Sequence, residues 1–385
     1  MRSPVFTCVP GRGASRFFEV FTGNSKTDSA HFHHEEIAFT VAHGAALAGT
    51  PAIAFLKSHG IAKAMNSVIA SIHSGVAAPF VIFSFEDETG SSSDHPFDAR
   101  SMLAAVGGEV LGPGDEQLVE ALERSLAQKK PVFISVPGNA LSDVEASEEI
   151  IHSLRTTLFS WIAKAPDPSP LPKHQALLNP LLSRSPGSHA ILNRTLPEVP
   201  RDLPPHLKRT AESYEPFIEA IRESLATDPA GPEAVWVTGD AGTSSLFGLP
   251  PHGLVKVCTH MGGAIPLAMG AALAGKTRVI AITGDFSFIS TGCLALSEAV
   301  RRNLGFDVVV FANGEASATG GQIVPFEFVK MQIPPGVEMV DLKAAAGSAF
   351  SASLPISQVF ADRFRTRSAD QVRIWLLQTG TKGQT

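Results

Sequence analysis

Asp285 and Asn313 each stand where an apolar run ends, and the pair offers the clearest prospect of chemistry in this chain. The first run covers residues 278–283 (RVIAIT) and stops at Gly284-Asp285-Phe286; the second covers 308–312 and stops at Ala312-Asn313-Gly314. Both read as short buried strands, and the stretch between them, 292–302 (GCLALSEAVRR), reads as a helix. A carboxylate at one strand's end and an amide at the next can grip one octahedral Mg2+, with the helix N-terminus facing a phosphate. Gly-Asp after an apolar strand is also a common strand-to-loop turn, so its meaning depends on the flanking residues. Upstream, Cys258-Thr259-His260-Met261-Gly262-Gly263-Ala264 opens a small-residue helix over 265–275, and downstream lies Thr319-Gly320-Gly321-Gln322. A methionine such as Met261 in an apolar stretch is ordinarily core filler; a place against a bound ligand is the other use.

A second concentration of titratable groups is His31-Phe32-His33-His34-Glu35-Glu36, followed by a helix containing Gly44 and Gly49. His31 and His33 on one face of an extended segment could share a Zn2+, but no second ligand set stands at a recognised spacing, and exposed histidines at a strand end are the plainer reading. Two polar loops follow predicted strands: Lys57-Ser58-His59-Gly60, running on to Asn66, and residues 86–95 (EDETGSSSDH). Serine and aspartate in such loops commonly cap helices. His59 and His95 stand at the edge where open α/β sheets bind ligands, and histidine is the side chain best suited to exchange a proton there, which makes them candidate substrate contacts.

The elements that must position these groups alternate. Strands are predicted over 5–9, 51–56, 79–85 and 131–136, with helices over 35–48, 61–74 and 117–127 between them, so the sheet is mainly parallel and covered on both faces. Between residues 166 and 205 there are ten prolines, and the segment reads as a surface linker. Alternation then resumes with a helix over 215–226, strands over 234–238, 278–283 and 308–312, a strand over 338–341, a helical stretch over 356–364 and a last strand over 372–377. The expected architecture is α/β, with two doubly wound, mainly parallel-sheet domains (1–162 and 213–385) joined by a Pro-rich linker (163–212).

Composition narrows the partners. With 44% hydrophobic and 18% charged residues among 385, the chain has material for two full cores rather than a disordered segment. A net charge of −6 without a basic cluster points away from nucleic acid and anionic membranes. No apolar run approaches the roughly 20 residues that span a bilayer, and no charged-then-apolar leader is seen at the N-terminus. Cys8, Cys258 and Cys293 lie far apart without metal-ligand spacing, and a reducing, cytoplasmic setting is the default expectation.

Taken together these segments resemble the thiamine-diphosphate enzyme superfamily, whose motif is written GDG, a gap of two dozen or so residues, then NN. Here Phe286 replaces the last Gly and Ala312 the first Asn, while both metal-holding positions are kept. More narrowly the chain is similar to the large subunit of indolepyruvate ferredoxin oxidoreductase. The likeness rests on Glu35 with Ala38-Phe39 and Gly44-Ala45, on Ser74-Gly75 before PFVIFSF, and on Ser92-Ser93 leading to Asp98-Ala99-Arg100. It extends to Thr238-Gly239-Asp240-Ala241-Gly242 with Leu249-Pro250-Pro251, to Cys258 with Met261-Gly262, and to Ala318-Thr319-Gly320-Gly321-Gln322. Phosphonopyruvate and sulfopyruvate decarboxylases also share the Gly-Gly-Gln block and a Ser-x-Gly loop at Gly60. The likeness covers both α/β halves and not the linker.

The resemblance implies a thiamine diphosphate and Mg2+ site. Asp285 and Asn313 would hold the metal by side chains and Glu315 by its backbone carbonyl. Gly262, Gly263 and Gly284 would let backbone approach the diphosphate beside Phe286, and Met261 would wedge the cofactor into its bent form. Glu35, with a glycine nine residues on at Gly44, has the spacing of the glutamate that activates the pyrimidine ring; Glu36 does not. The implied partners are a 2-oxo acid substrate and a second copy of the chain, in a homodimer or higher homo-oligomer with sites at the interface. The ferredoxin-coupled family also carries cysteine ligands for iron–sulfur clusters, and one 4Fe–4S cluster takes four; this sequence has three dispersed cysteines. The expected reaction is therefore non-oxidative decarboxylation of a 2-oxo acid, or decarboxylating carboligation, through a thiazolium carbanion and an enamine. The alternatives are an oxidoreductase subunit that hands electrons to a separate iron–sulfur partner, and a thiamine-fold protein that binds without catalysis.

Overall fold

The structure is a computed structural model in which residues 3–23, 31–141, 144–167, 205–226, 234–343 and 371–378 are described. The helix predicted over 356–364 and most of the proline-rich segment (168–204) lie outside the described residues. The chain divides into two compact units, Met1–Ala176 and Leu177–Thr385.

The first unit runs β1 (Val5–Cys8), α1 (Ala14–Thr22), α2 (Glu35–Leu47), β2 (Ala52–Lys57), α3 (Ser58–Lys63), α4 (Met65–Ser74) and β3 (Phe80–Phe85). It continues with α5 (Ala99–Ala105), β4 (Glu109–Leu111), α6 (Asp115–Gln128), β5 (Val132–Val136) and α7 (Val144–Lys164). Its five strands are all parallel, in the order β1-β2-β3-β5-β4. The three central strands are buried nearly throughout, as helices on both faces demand. Alternate side chains divide between the two faces. Phe55, Phe83 and Phe85 join Phe17 and Phe21 of α1 with Leu118 and Leu154 of α6 and α7. On the other side Phe39 of α2 meets Phe80 at 5.0 Å and Phe133 at 6.4 Å.

The single helix predicted over 61–74 is two, α3 and α4, parted at Ala64 (φ −86°, ψ 8°), and both pack on α2. Deep in that packing His43 is fully buried, its Nε2 hydrogen-bonded to the Gly75 carbonyl at 2.9 Å and its ring stacked on Phe80. Burial pushes its pKa down to about 4, against the opposing pull of the Gly75 carbonyl. Because the folded value lies below the usual histidine value, the stability tied to the neutral ring is full above pH 6.5 and is lost as pH falls toward 4. Such a difference is worth on the order of 3 kcal/mol when fully expressed. We therefore expect His43→Gln, which keeps an N–H toward Gly75, to flatten the acid limb of the thermal-unfolding profile. An acid limb as steep as that of the unsubstituted protein would remove His43 as its source.

The second unit comprises α8 (Pro205–Ala226), β6 (Trp236–Gly239), β7 (Val257–Cys258), α9 (Ala264–Leu273), β8 (Val279–Gly284), α10 (Asp285–Ser287) and α11 (Cys293–Arg301). There follow β9 (Asp307–Ala312), β10 (Glu315–Ala316), β11 (Gln322–Ile323), α12 (Phe326–Met331), β12 (Glu338–Lys343) and β13 (Arg373–Gln378). Six strands form a parallel sheet in the order β12-β13-β9-β8-β6-β7, and β10-β11 is a small antiparallel hairpin. Pro205 opens α8, where its missing N–H costs nothing. This helix lays Tyr214, Phe217 and Ile221 over Val237, Ile282, Val309 and Phe311. Helix α9 is buried all round except at its end, which accounts for its alanine- and glycine-rich sequence.

Candidate active site

Parallel pairing brings the chemistry of the second unit to one edge. Gly284 of β8 lies opposite Phe311 of β9, so Asp285 and Asn313 leave neighbouring strand ends together. On the other side of β8, Gly239 of β6 lies opposite Ile282, and Asp240 emerges at the same edge. From β6 the chain first builds β7 on one side, then crosses back to build β8 and β9 on the other. The carboxyl edge between β6 and β8 is thus a topological switch point, where open α/β sheets form their ligand crevice. A cleft of about 550 Å³, open to solvent, lies there, with Met261, Gly284, Asp285, Phe286, Asn313 and Glu315 among its lining residues. The helical run after β8 begins at Asp285 itself, passes through a π turn at Phe288–Gly292 and continues as α11, seven residues earlier than the predicted start at 292.

Asp285 is buried, its Oδ1 accepting from the Phe286 amide at 2.7 Å and its Oδ2 from the Gly314 amide at 2.8 Å. Burial nonetheless pushes its carboxyl up to about 6, the backbone amides opposing the rise. Asn313 donates through Nδ2 to Ser317 Oγ at 2.6 Å. Its Oδ1 then faces Asp285 Oδ1 at 3.2 Å and the Glu315 carbonyl oxygen at 3.0 Å. In this orientation three oxygens converge; with the amide turned about, its N–H groups would instead donate to the other two. Oxygens bound side by side to one octahedral Mg2+ at about 2.1 Å lie about 3.0 Å apart, so the donor set and its spacing fit that ion. Among the described residues no group of three or more His, Cys, Asp or Glu side chains could hold a metal, the histidines at 31–34 included; this site is built from a carboxylate, an amide and a carbonyl.

Three neighbours went unnoticed as site residues in the sequence. Asp240 is fully buried, its Oδ2 accepting from the Thr283 hydroxyl at 2.6 Å and the Gly262 amide at 3.2 Å, its Oδ1 from the Ser244 hydroxyl at 3.1 Å. Burial pushes it up to about 7 despite those donors. It ties the loop carrying Met261 to the end of β8. Tyr214 lines the cleft stacked on Phe311 at 4.1 Å; burial first, then the carboxylates of Asp285, Glu315 and Asp240, keep its phenol protonated. Ser317 sits behind Asn313. The Thr-Gly-Asp-Ala-Gly run was the available signal for Asp240; nothing in the sequence marks Tyr214 or Ser317.

The glycines divide. A Cβ at Gly284 would enter open space beside the cleft, as a close backbone approach by a ligand needs. At Gly262 (φ +83°) it would strike Thr291 Cβ at 2.8 Å, and at Gly263 the Thr259 Cγ2 at 2.2 Å, so these two serve close packing of the loop. Met261 is 37% exposed on the cleft wall and is not core filler; Phe286, 39% exposed, lines the cleft as well.

In the first unit Glu35 is the first residue of α2, pressed against the backbone of Gly60 and ion-paired with Lys63 at 2.7 Å. Glu36 turns elsewhere: Ser67 Oγ of α4 lies 3.5 Å from its Oε1, and burial raises its pKa. The two histidine-bearing loops meet. Ser93 Oγ lies 3.4 Å from His59 Nδ1, Ser58 Oγ donates to the Phe97 carbonyl at 3.3 Å, and Lys57 reaches the Ser92 carbonyl. His59 rests on the Phe97 ring at 5.1 Å, whereas His95 is exposed on the same loop.

Residues 236–359, which include this edge, match the thiamine pyrophosphate enzyme C-terminal TPP binding domain. The similarity to indolepyruvate oxidoreductase subunit IorA is distant. The chain is 30% identical to the Methanothermobacter thermautotrophicus protein over 131 residues (34% of this chain, 20% of that one) and 27% identical to the Methanothermobacter marburgensis protein over 158 residues (40% and 25%). The matches thus span a fifth to a quarter of those relatives' length. The solved structure of Rhodococcus jostii RHA1 thiamine diphosphate-dependent 4-hydroxybenzoylformate decarboxylase superposes with a TM-score of 0.59 at 15% identity, over 99% of this chain and 97% of that one, a likeness of fold. No helix among the described residues is long and apolar enough to cross a membrane.

Proposed function

We propose that the chain is a thiamine-diphosphate- and Mg2+-dependent non-oxidative decarboxylase, or decarboxylating carboligase, of a 2-oxo acid. The observation that carries the reading is the convergence of the Asp285 carboxylate, the Asn313 amide and the Glu315 carbonyl at the β8–β9 edge. In this reading the first unit is the pyrimidine-binding domain and the second the diphosphate domain. Asp285, Asn313 and the Glu315 carbonyl would hold Mg2+, with the diphosphate against Gly284 and Phe286. Met261 offers an apolar wall to the ring system. When bound, thiamine diphosphate supplies a nucleophilic carbon and a sink for the electron pair that the departing CO2 leaves behind. Glu35, from this chain or a second copy in a homodimer, would hold a proton at the pyrimidine ring, and its Lys63 partner, half in solvent, is free to part from it. His59 and His95 would meet the substrate from the first unit's loops.

The non-oxidative choice is supported by cysteine content: Cys8, Cys258 and Cys293 are separately buried free thiols, one short of a 4Fe–4S ligand set. The similarity to an indolepyruvate oxidoreductase subunit favours a second reading, in which a separate iron–sulfur protein takes the electrons. A panel of 2-oxo acids separates them. With thiamine diphosphate and Mg2+ alone the protein should release CO2 and an aldehyde or acyloin, without consuming coenzyme A. Turnover only with an added iron–sulfur subunit and electron acceptor would establish the second reading instead.

A further inference from the structure

Ser317 stands at the centre of a four-group hydrogen-bond network. Its Oγ lies 2.9 Å from Glu315 Oε1, 2.9 Å from Thr210 Oγ1 of α8 and 2.6 Å from the Asn313 amide. A hydroxyl has one proton and two lone pairs, and a carboxylate only accepts. In one consistent arrangement the Ser317 proton goes to Glu315, and the lone pairs receive Thr210 O–H and Asn313 N–H. With its nitrogen on Ser317, Asn313 turns Oδ1 toward Asp285 and the Glu315 carbonyl.

The opposite orientation is the one the amide would choose for itself in the absence of a cation. Its N–H groups would then satisfy Asp285 Oδ1 at 3.2 Å and the Glu315 carbonyl at 3.0 Å, and its oxygen would take the Ser317 proton. That arrangement fills the metal position with N–H groups. It also strips Glu315 Oε1 of its donor, leaving carboxylate and hydroxyl oxygens face to face at 2.9 Å. The Glu315 carboxylate lies beside the β10–β11 hairpin, where a Cβ on Gly321 (φ +76°) would stand in ordinary contact, 3.4 Å from its Oε2.

We propose that the Glu315 side chain, acting through Ser317, is a positioning device that locks the Asn313 amide with its oxygen toward the metal position. Resting on the reading of Asp285, Asn313 and the Glu315 carbonyl as Mg2+ ligands, it gives Glu315 a second task, separate from its carbonyl.

The test is the affinity for Mg2+, titrated calorimetrically into the full-length protein with thiamine diphosphate in excess. Glu315→Ala keeps the carbonyl and removes the acceptor; Ser317→Ala removes the hydroxyl. Each should weaken Mg2+ binding by about 10–100-fold, the usual effect of losing an outer hydrogen-bond partner of a metal ligand. Ser317→Thr, which restores the hydroxyl, should bind close to the unsubstituted protein. Since Glu315 works only through Ser317, the double variant should be no weaker than Ser317→Ala alone. Unchanged affinity in Glu315→Ala would overturn the proposal, as would losses that simply multiply in the double variant, because Glu315 would then act on the ion as a separate charge. Should Ser317→Ala not fold, Glu315→Ala and Ser317→Thr carry the test alone. If the unsubstituted protein takes up no Mg2+ with thiamine diphosphate, the metal site falls and the positioning device with it.

Discussion

Asp285→Ala will abolish most of the protein's affinity for thiamine diphosphate presented with Mg2+, by more than the roughly 100-fold that outer partners of metal ligands command. The carboxylate is the one anionic group among the three converging oxygens, and hard cations depend on such a ligand. Its burial has already raised its proton affinity, so in the metal-free protein the ionised form is a burden on the fold. Asp285→Asn removes that charge while keeping the shape and an acceptor for a backbone amide. We expect its metal-free unfolding temperature at neutral pH to stay at or above that of the unsubstituted protein, while cofactor binding is lost. Calorimetry would expose the opposite case: retained cofactor affinity, or a loss that merely tracks unfolding, would make Asp285 a structural residue.

The second large effect concerns activation rather than binding. Glu35→Gln keeps the side chain's length and its seat against Gly60 but removes the acid. Exchange of the C2 proton of bound thiamine diphosphate, followed by quenched-flow NMR in D2O, should slow by about 10²–10⁴-fold, the range for loss of a general acid–base group. Cofactor affinity should change little. Glu36→Gln is the internal control, because Glu36 faces Ser67 on α4 and not the loop at Gly60. A slowed exchange in Glu36→Gln with normal exchange in Glu35→Gln would move the assignment by one residue.

Much of the frame was legible because parallel strands buried on both faces are written as unbroken apolar runs. Residues 79–85 and 308–312 are of this kind, and each structural strand falls within a residue of its predicted bounds. Elements too short to show a period were not legible: β4 has three residues and β7 two, and both are held by their neighbours rather than by propensity. The start of the helix after β8 was hidden for a different reason. Phe286-Ser287-Phe288-Ile289-Ser290-Thr291 is rich in aromatic and β-branched residues, which favour strand, yet it coils through a π turn that buries Phe288 and brings Thr291 against Gly262. In the site, Asp285 and Asn313 were visible because each ends an apolar run. Ser317 and Tyr214 were not, since a serine inside a Ser-Ala-Thr turn and a tyrosine on an amphipathic helix have no local signature; only the folded register brings Thr210 and Ser317 within 2.9 Å.

Gly60 carries a consequence for how this sequence can drift. A methyl group there would sit 2.8 Å from Cγ of Glu35, on the stem of the side chain rather than its flexible tip. Position 60 is closed to every other residue for as long as position 35 keeps a long side chain in that rotamer. The constraint does not run the other way, because a descendant that shortened residue 35 would open the space at once. In homologous chains an alanine or serine at 60 should therefore appear only where residue 35 has already been shortened, so the order of the two changes can be read from which of them a chain carries.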